Sequence, residues 1–301
     1  MMNKKATGRS TLQAFLYLLP MLIFISVFTV YPIIKSIMMS FYDNYNLFTG
    51  DIGGYSLSNY QTLFSDPAFY TALKNTFIYV AGVVPLSIAI SLGIALMLYR
   101  IPFLKGLFRT VYFLPYVTST VAISIVWSWL YHSRYGLFNY FLNLVGIESI
   151  DWLLNPKYAL LSVIIMAIWK SLGFNILLLL VGLGNINDNY YKAAKIDGAG
   201  AWQRFWHITL PMLRPTLFLL STIGVINSFK VFDQVFALFN GRPGPANSAT
   251  TVVYYLFYQF YQRFDYGLAA ASGVALFGII LFFTFIQFLG NQYLNKRSDA
   301  S

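Results

Sequence analysis

The sequence has no cysteine, two histidines and a single glutamate in 301 residues. Without thiols there are no disulfides, thiolate nucleophiles or cysteine-ligated metals. His132 and His207 cannot supply a multi-histidine metal site. With Glu148 as the only glutamate, a clustered acid–base constellation has little material. Charge is scarce too: 10% of residues are charged, against about 25% in an average globular domain. No GxxxxGK[ST] pattern occurs, so the chain has no phosphate-cradling loop with which to hydrolyse ATP. These shortages exclude an ordinary cytosolic enzyme, a disordered chain and a secreted disulfide scaffold.

What is present is apolar. Hydrophobic residues make up 58% of the chain, more than a soluble domain of this size can hide. Crossing the hydrocarbon core takes roughly 20 mostly apolar residues. Six runs meet or approach that length: Leu12–Ile34, Phe77–Leu98, Val111–Tyr131, Tyr158–Gly182, Thr216–Phe239 and Tyr266–Gly290. The runs are continuous rather than alternating, which favours an all-α polytopic membrane bundle over a barrel. The first run is too long for a signal peptide and lacks a clean cleavage site, so it reads as an uncleaved helix. The expected layout is a cytoplasmic N-terminus over 1–11, a membrane domain over 12–290 and a cytoplasmic tail over 291–301.

The formal charge of +10 raises the possibility of nucleic acid, but the positions of the charges argue otherwise. With the N-terminus inside, the inner segments hold Lys4, Lys5, Arg9, Arg100, Lys105, Arg109, Lys192, Lys195, Arg204, Arg214, Lys296 and Arg297. The outer ones hold Lys35, Lys74, Arg134, Lys157, Arg242 and Arg263. This bias gives an N-in, C-in orientation. The basic excess is a topology signal, and no nucleic-acid partner is expected.

One cytoplasmic segment carries information beyond topology, the loop over 185–215. Asn187 or Asp188 can cap a short helix starting at Asn189. Gly198 offers a stop. Ala201–Leu210 reads as a second short helix with Trp202, Phe205, Trp206 and Leu210 on one face, and Pro211 and Pro215 flank the next span. Small residues at Ala193, Ala194, Gly198, Ala199 and Gly200 would let the backbone sit deep in a groove of another protein. The alternative is an interfacial hairpin with no protein partner.

The stretch Tyr191–Pro211, YKAAKIDGAGAWQRFWHITLP, resembles the EAA loop of binding-protein-dependent ABC importer permeases. Ala193, Ala194, Asp197, Gly198 and Ala199 match the first part of that pattern. Phe205, Ile208, Leu210 and Pro211 match the second. Lys192 stands where the family pattern has glutamate, which alters the polar contact expected there. Further stretches are similar to sugar-type permeases: Asp66–Thr76, Arg109–Pro115, Ile168–Phe174 and Ser228–Asp233. Gly241-Arg242-Pro243 is an imperfect version of their G-G-P. The similarity covers roughly residues 12–290 and points to the carbohydrate-uptake branch, the maltose and glycerol-phosphate type.

The resemblance implies an ABC importer type I permease fold in the bacterial plasma membrane. It implies a sugar-translocating subunit working by alternating access, with no catalytic role and no cofactor of its own. ATP and Mg²⁺ would sit on two cytoplasmic ATPase subunits. A second homologous permease and an extracellular solute-binding protein would complete the complex. The ATPase-coupling residues would be Tyr191, Lys192, Ala193, Ala194, Lys195, Asp197, Gly198, Ala199, Phe205 and Pro211.

Charges inside spans are costly and usually face a cavity or a partner. Lys170 falls in the fourth span. Lys230 and Asp233 fall three apart in the fifth, which places them on one helix face. One reading is a local ion pair that fixes packing. The other is a substrate path between the fourth and fifth helices. The resemblance favours the path, formed by Lys170, Ser171, Phe174 and Asn175 with Asn227, Ser228, Lys230 and Asp233. Trp169 and Phe174 are candidate sugar-stacking platforms. The alternatives are a secondary transporter acting without an ATPase and an ABC permease for a non-sugar substrate, with Lys170 and Lys230 suited to an anionic one.

Overall fold

The computed structural model describes residues 8–46, 49–99 and 105–299. Lys4, Lys5 and Arg100, three of the orienting cations, lie outside the described residues. The described chain is helical apart from one pair of two-residue strands. It divides into two compact units.

The first unit comprises 1–66 and 256–275. Helix α1 (Gly8–Ile25) passes through a π turn (Ser26–Val30) into α2 (Tyr31–Met39). The wide turn has a cause in the sequence. Pro32 follows it, and a proline ring clashes with the carbonyl four residues back unless the helix opens there. Next come two short antiparallel strands, Tyr42–Asp43 and Gly54–Tyr55. Asn59, in α3 (Ser58–Ser65), donates from Nδ2 to the carbonyls of Ser40 (3.1 Å) and Tyr42 (2.9 Å). Asp43 accepts from the Ser56 hydroxyl at 2.7 Å and from that of Ser58, and these bonds hold its carboxyl below the usual aspartate pKa. At Gly267 a Cβ would come within 2.9 Å of the Tyr42 carbonyl, so this close approach requires glycine.

The second unit, 67–255 and 276–301, contains the cavity and the hairpin over 185–215. Helix α4 (Pro67–Tyr99) packs against the long α8 (Pro156–Gly184), which also packs on α5 (Lys105–Val117). At Gly173 of α8 a Cβ would stand 2.0 Å from the Tyr112 carbonyl oxygen, so the two backbones touch there. Helix α6 (Thr120–Leu130) follows α5 across a 105° bend.

The loop after α6 carries α7 (Leu137–Leu144) and turns on Asn139. This buried amide donates to the carbonyls of Ser133 and Ile150, both at 2.9 Å. It accepts from the Ile150 N–H and the Trp152 indole, both at 3.0 Å. Around it Tyr131, Phe138 and Trp152 join the core with Trp127, Val163 and Val235.

The hairpin holds α9 (Asp188–Ile196) and α10 (Ala201–Arg204). A second π turn (Phe205–Thr209) and α11 (Leu210–Met212) then lead into α12 (Arg214–Phe229). A proline follows this π turn too, Pro211, with Leu210 between them. Helix α13 (Asp233–Leu238), a 3₁₀ turn (Pro245–Asn247), α14 (Val252–Tyr261) and α15 (Tyr266–Asp299) complete the chain.

Among the described residues four unbroken helices are long and apolar enough to cross a membrane: Gln13–Met39, Pro67–Tyr99, Pro156–Gly184 and Tyr266–Tyr293. Two bent pairs raise the number to six. The expected third span is one of these pairs, and its break at Thr118–Ser119 interrupts a run that the sequence reads as continuous. The expected fifth span, Thr216–Phe239, is corrected more substantially. Its helix stops at Phe229, and a new one begins at Asp233. The break is secured from outside the span, because the Thr251 hydroxyl donates to the Val231 carbonyl at 2.9 Å. Asn75 of α4 donates to the carbonyls of Ser248 (3.1 Å) and Thr250 (3.0 Å), fixing the returning loop. Lys230 and Asp233 therefore do not share a helix face. The sixth helix runs past the expected Gly290 to Asp299.

Candidate translocation cavity and cytoplasmic hairpin

A cavity of about 410 Å³ opens between α4, α8 and α12. Six of the sequence-predicted path residues line it: Lys170, Ser171, Phe174, Asn175, Asn227 and Ser228. Their convergence follows from helix spacing. Lys170, Ser171, Phe174 and Asn175 repeat at three and four along α8 and so share a stripe. Gly224 of α12 faces Val84 of α4, where an added Cβ would make ordinary van der Waals contact.

The polar groups of the cavity are held by neighbours. Asn175 donates to the Ser87 hydroxyl at 3.3 Å. The Lys170 ammonium donates to Thr120 at the start of α6, and Asp233 is near enough for its charge to act on Lys170. The Phe174 ring stacks on Tyr116 with centroids 4.9 Å apart and 17° between planes. The lining thus combines hydroxyls, amides, one cation and flat rings, the chemistry that a polyhydroxylated solute requires.

Three expected path residues do not line this cavity. Trp169 lies one position from Lys170 and points elsewhere. It packs on Trp127 at 5.5 Å and lines an apolar groove with Leu114 and Val126. Lys230 caps the end of α12 and Asp233 opens α13, both exposed. Conversely, Tyr79, Ser87, Tyr116 and Gln234 line the cavity without having been singled out from the sequence. Gln234 could have been found from Asp233-Gln234, an acidic helix start following a charged lysine. The tyrosines carry no local signal in a chain so rich in aromatics.

The hairpin follows the sequence expectation more closely. The Asn187 side chain caps α9 by accepting from the Asn189 N–H at 2.9 Å. At its other end Gly198 adopts φ +79°. The Ala199 N–H bonds the Ala194 carbonyl (2.8 Å) and the Gly198 N–H bonds the Lys195 carbonyl (3.2 Å), a Schellman stop. Gly200 donates to Gln203 Oε1 at 2.7 Å, Arg204 donates to the Ala199 carbonyl, and the hydroxyls of Tyr191 and Thr209 meet at 3.0 Å. These bonds tie the two arms into one body. Lys192, Ala193, Lys195, Asp197 and Gly198 are exposed on it, and Ala194, Ala199, Phe205 and Pro211 are half-buried. A cleft of about 330 Å³ lies between the arms, lined by Asp197, Gly198, Gln203 and Arg204 among others. No group of three metal-ligating side chains occurs among the described residues.

A helical membrane chain with a polar cavity amid its helices and a rigid, small-residue hairpin at one end belongs to the class of transport permeases. Residues 86–299 match the family described as binding-protein-dependent transport system inner membrane component, and the chain belongs to that family. It is a multi-pass inner-membrane transport component and not an enzyme, and the alternative of a self-powered secondary transporter gives way to this membership.

Among its relatives is the lactose transport system permease protein LacF of Rhizobium radiobacter. The two are 36% identical over 295 residues, 94% of this chain and 97% of the relative. The arabinooligosaccharides transport system permease protein AraP of Halalkalibacterium halodurans is 34% identical, over 89% of this chain and 84% of its own length. The trehalose/maltose transport system permease protein MalF of Thermococcus litoralis is 31% identical, over 95% of each chain. The fold is that of a chain in the crystal structure of a bacterial ABC transporter involved in import of the acidic polysaccharide alginate. That match has a TM-score of 0.81 at 24% identity and covers 95% of this chain and 96% of the other.

Proposed function

We propose that this permease carries oligosaccharides or sugar derivatives inward, with both termini cytoplasmic and residues 12–290 as its membrane domain. The cavity among α4, α8 and α12 is the carrying observation. It sets Asn175, Ser228, Lys170 and the Tyr116–Phe174 stack around a space of sugar size. Named relatives that move lactose, arabinooligosaccharides and trehalose or maltose support the substrate class.

In this reading the chain pairs with a second, homologous permease above two cytoplasmic ATPases, which bind ATP and Mg²⁺. An extracellular solute-binding protein delivers the sugar. The hairpin residues Tyr191–Ala199, with Phe205 and Pro211 behind them, take the push from an ATPase. Ile196, 86% exposed at the end of α9, supports this role by offering an apolar contact at the tip of the hairpin. Lys192 presents a cation where the family pattern has an anion, so the ATPase pair is gripped differently by the two permeases. Lys170 in the cavity wall further supports acidic sugars within the class.

Reconstitution into proteoliposomes with the second permease, the ATPases and the binding protein tests the proposal. ATP-driven uptake of labelled oligosaccharide should stop when any one of these is left out. Ion-driven uptake by the chain alone, or uptake of peptides but of no saccharide, would overturn it. Lys170→Met should weaken uptake of a uronate-bearing oligosaccharide at least several-fold more than that of a neutral one.

A further inference from the structure

The two arms of the cytoplasmic hairpin present different chemistry. Along the second arm, Gln203, Arg204 and Thr209 are engaged by α9 and its turn. Gln203, Arg204 and Ile208 also line the cleft beside Gly198. The large rings do not line that cleft. Trp202 is 72% exposed and Trp206 47%. They pack on each other at 5.5 Å and on Phe205 at 5.9 and 5.4 Å, forming one outward aromatic patch.

The direction of the arm is set by the helix it feeds. Ala201–Met212 makes a 63° bend with Arg214–Phe229, which belongs to a membrane span. For a spanning helix tilted by the usual ~20°, the arm stands about 43–83° from the bilayer normal, steeply inclined away from the direction of the span. Gln203, Arg204 and His207 keep it out of the hydrocarbon centre, so it forms the end of this bent span at the membrane surface. It joins the span directly, so it cannot leave the surface either. Indole rings suit this depth, with an apolar body and one N–H that needs a wet partner. Exposed Arg214, just beyond the arm at the start of α12, supplies a cation at this end of the span.

We infer that Trp202 and Trp206 are bedded in the headgroup region of the cytoplasmic leaflet, as a membrane anchor for the hairpin, with anionic phospholipid as the preferred contact. The hairpin thus has a protein-facing arm, α9, and a lipid-facing arm, Ala201–Met212. The lipid is the fixed surface against which α9 is pushed. This assignment rests on the span, the bend and the proposed cytoplasmic coupling role of the hairpin, and does not depend on the sugar substrate.

The absence of cysteine helps the test, since a single introduced thiol is the only one in this subunit. Nitroxide labels at Trp202→Cys and Trp206→Cys, in the assembled transporter in phosphatidylglycerol-containing vesicles, should be more accessible to lipid-soluble oxygen than to a water-soluble nickel chelate. A label at Ile196→Cys should show the reverse before ATPases are added and become shielded from both afterwards. If the labels at 202 and 206 read as aqueous, or become protected only when ATPases bind, the lipid assignment fails and a protein contact takes its place.

A second measurement avoids the cysteine variants. Wild-type protein and the Trp202→Phe/Trp206→Phe double variant are compared in vesicles of brominated lipid. The chain has six tryptophans, so the variant should lose about one third of the emission, and the lost part should be quenched most by bromines near the headgroup. Equal quenching of that part at all bromine depths, or no quenching of it, would also overturn the inference.

Discussion

Gly173→Ala is the sharpest test of how α8 is positioned. A Cβ there would stand 2.0 Å from the Tyr112 oxygen, 2.8 Å from the Tyr112 carbonyl carbon and 3.0 Å from Phe113 Cα. All three are backbone atoms of α5, so no side chain can rotate away. Tolerable C···O contacts start near 3.3 Å, so the helices must separate by about 1.3 Å. Alanine favours the helix over glycine by roughly 0.8–1 kcal/mol, but overpacking against fixed neighbours costs about 1–3 kcal/mol and occasionally more. Separation also strips contacts from both helices along their length. The net expectation is a loss of about 1–3 kcal/mol, together with loosening of the Tyr116–Phe174 stack one residue away. Gly184→Ala is the control in the same helix, since nothing lies within 4 Å of its added Cβ. It should be neutral or stabilising by up to about 1 kcal/mol. Denaturant unfolding in mixed micelles, paired with uptake in vesicles, measures both. If Gly173→Ala were as stable and active as Gly184→Ala, the close packing of α5 on α8 would be wrong.

Gly198→Ala should strain the hairpin stop by about 1–2 kcal/mol, because φ +79° disfavours a Cβ. Uptake and transport-linked ATP hydrolysis should fall while membrane insertion persists. Unchanged coupling of the more disruptive Gly198→Asp would remove the coupling role. Asn139→Ala leaves the Trp152 indole, the Ile150 N–H and two carbonyls without their partner. A destabilisation of about 2–4 kcal/mol, with faster hydrogen exchange over 133–157, is expected from several buried groups each worth roughly 1–3. The lowered Asp43 pKa means that its charged form is favoured by folding. That contribution is complete above the ordinary aspartate pKa and fades as pH falls through the lowered one. Asp43→Asn should therefore make exchange protection around Tyr42–Tyr55 less dependent on pH in the acid range, as exchange mass spectrometry against pH would measure.

Much of this arrangement is legible in the residues. Long apolar runs mark the spans because a bilayer imposes a length. Asn187 and Gly198 mark the ends of α9 because a cap needs a short acceptor and a left-handed stop needs glycine. The stripe Lys170–Ser171–Phe174–Asn175 follows from helical spacing alone. The helix breaks are not legible in this way. Hydropathy continues through Val231 and Phe232, and the interruption is held by Thr251, some twenty residues later in the chain. Continuing the helix through it wrongly aligned Lys230 with Asp233. Trp169 shows the opposite failure. It neighbours a cavity residue in sequence, but adjacent positions on a helix point about 100° apart, and its ring faces Trp127. Asn139 drew no notice because a lone asparagine between apolar residues looks like any loop amide until four partners surround it.

The 63° bend between Ala201–Met212 and α12 gives the chain the mechanics of a crank. Helix α12 has 16 residues, about 24 Å at 1.5 Å per residue. Its base is clamped, because a Cβ at Gly182 of α8 would meet Thr216 at 2.6 Å and Leu213 at 2.9 Å, leaving little room for sliding. With translation blocked, tilting about that pivot is the motion left. A swing of about 10° carries the far end of a 24 Å arm roughly 4 Å, more than the length of a hydrogen bond. Asn227 and Ser228 ride on that far end, so a tilt of this size is enough to break and remake a hydrogen bond at the cavity wall.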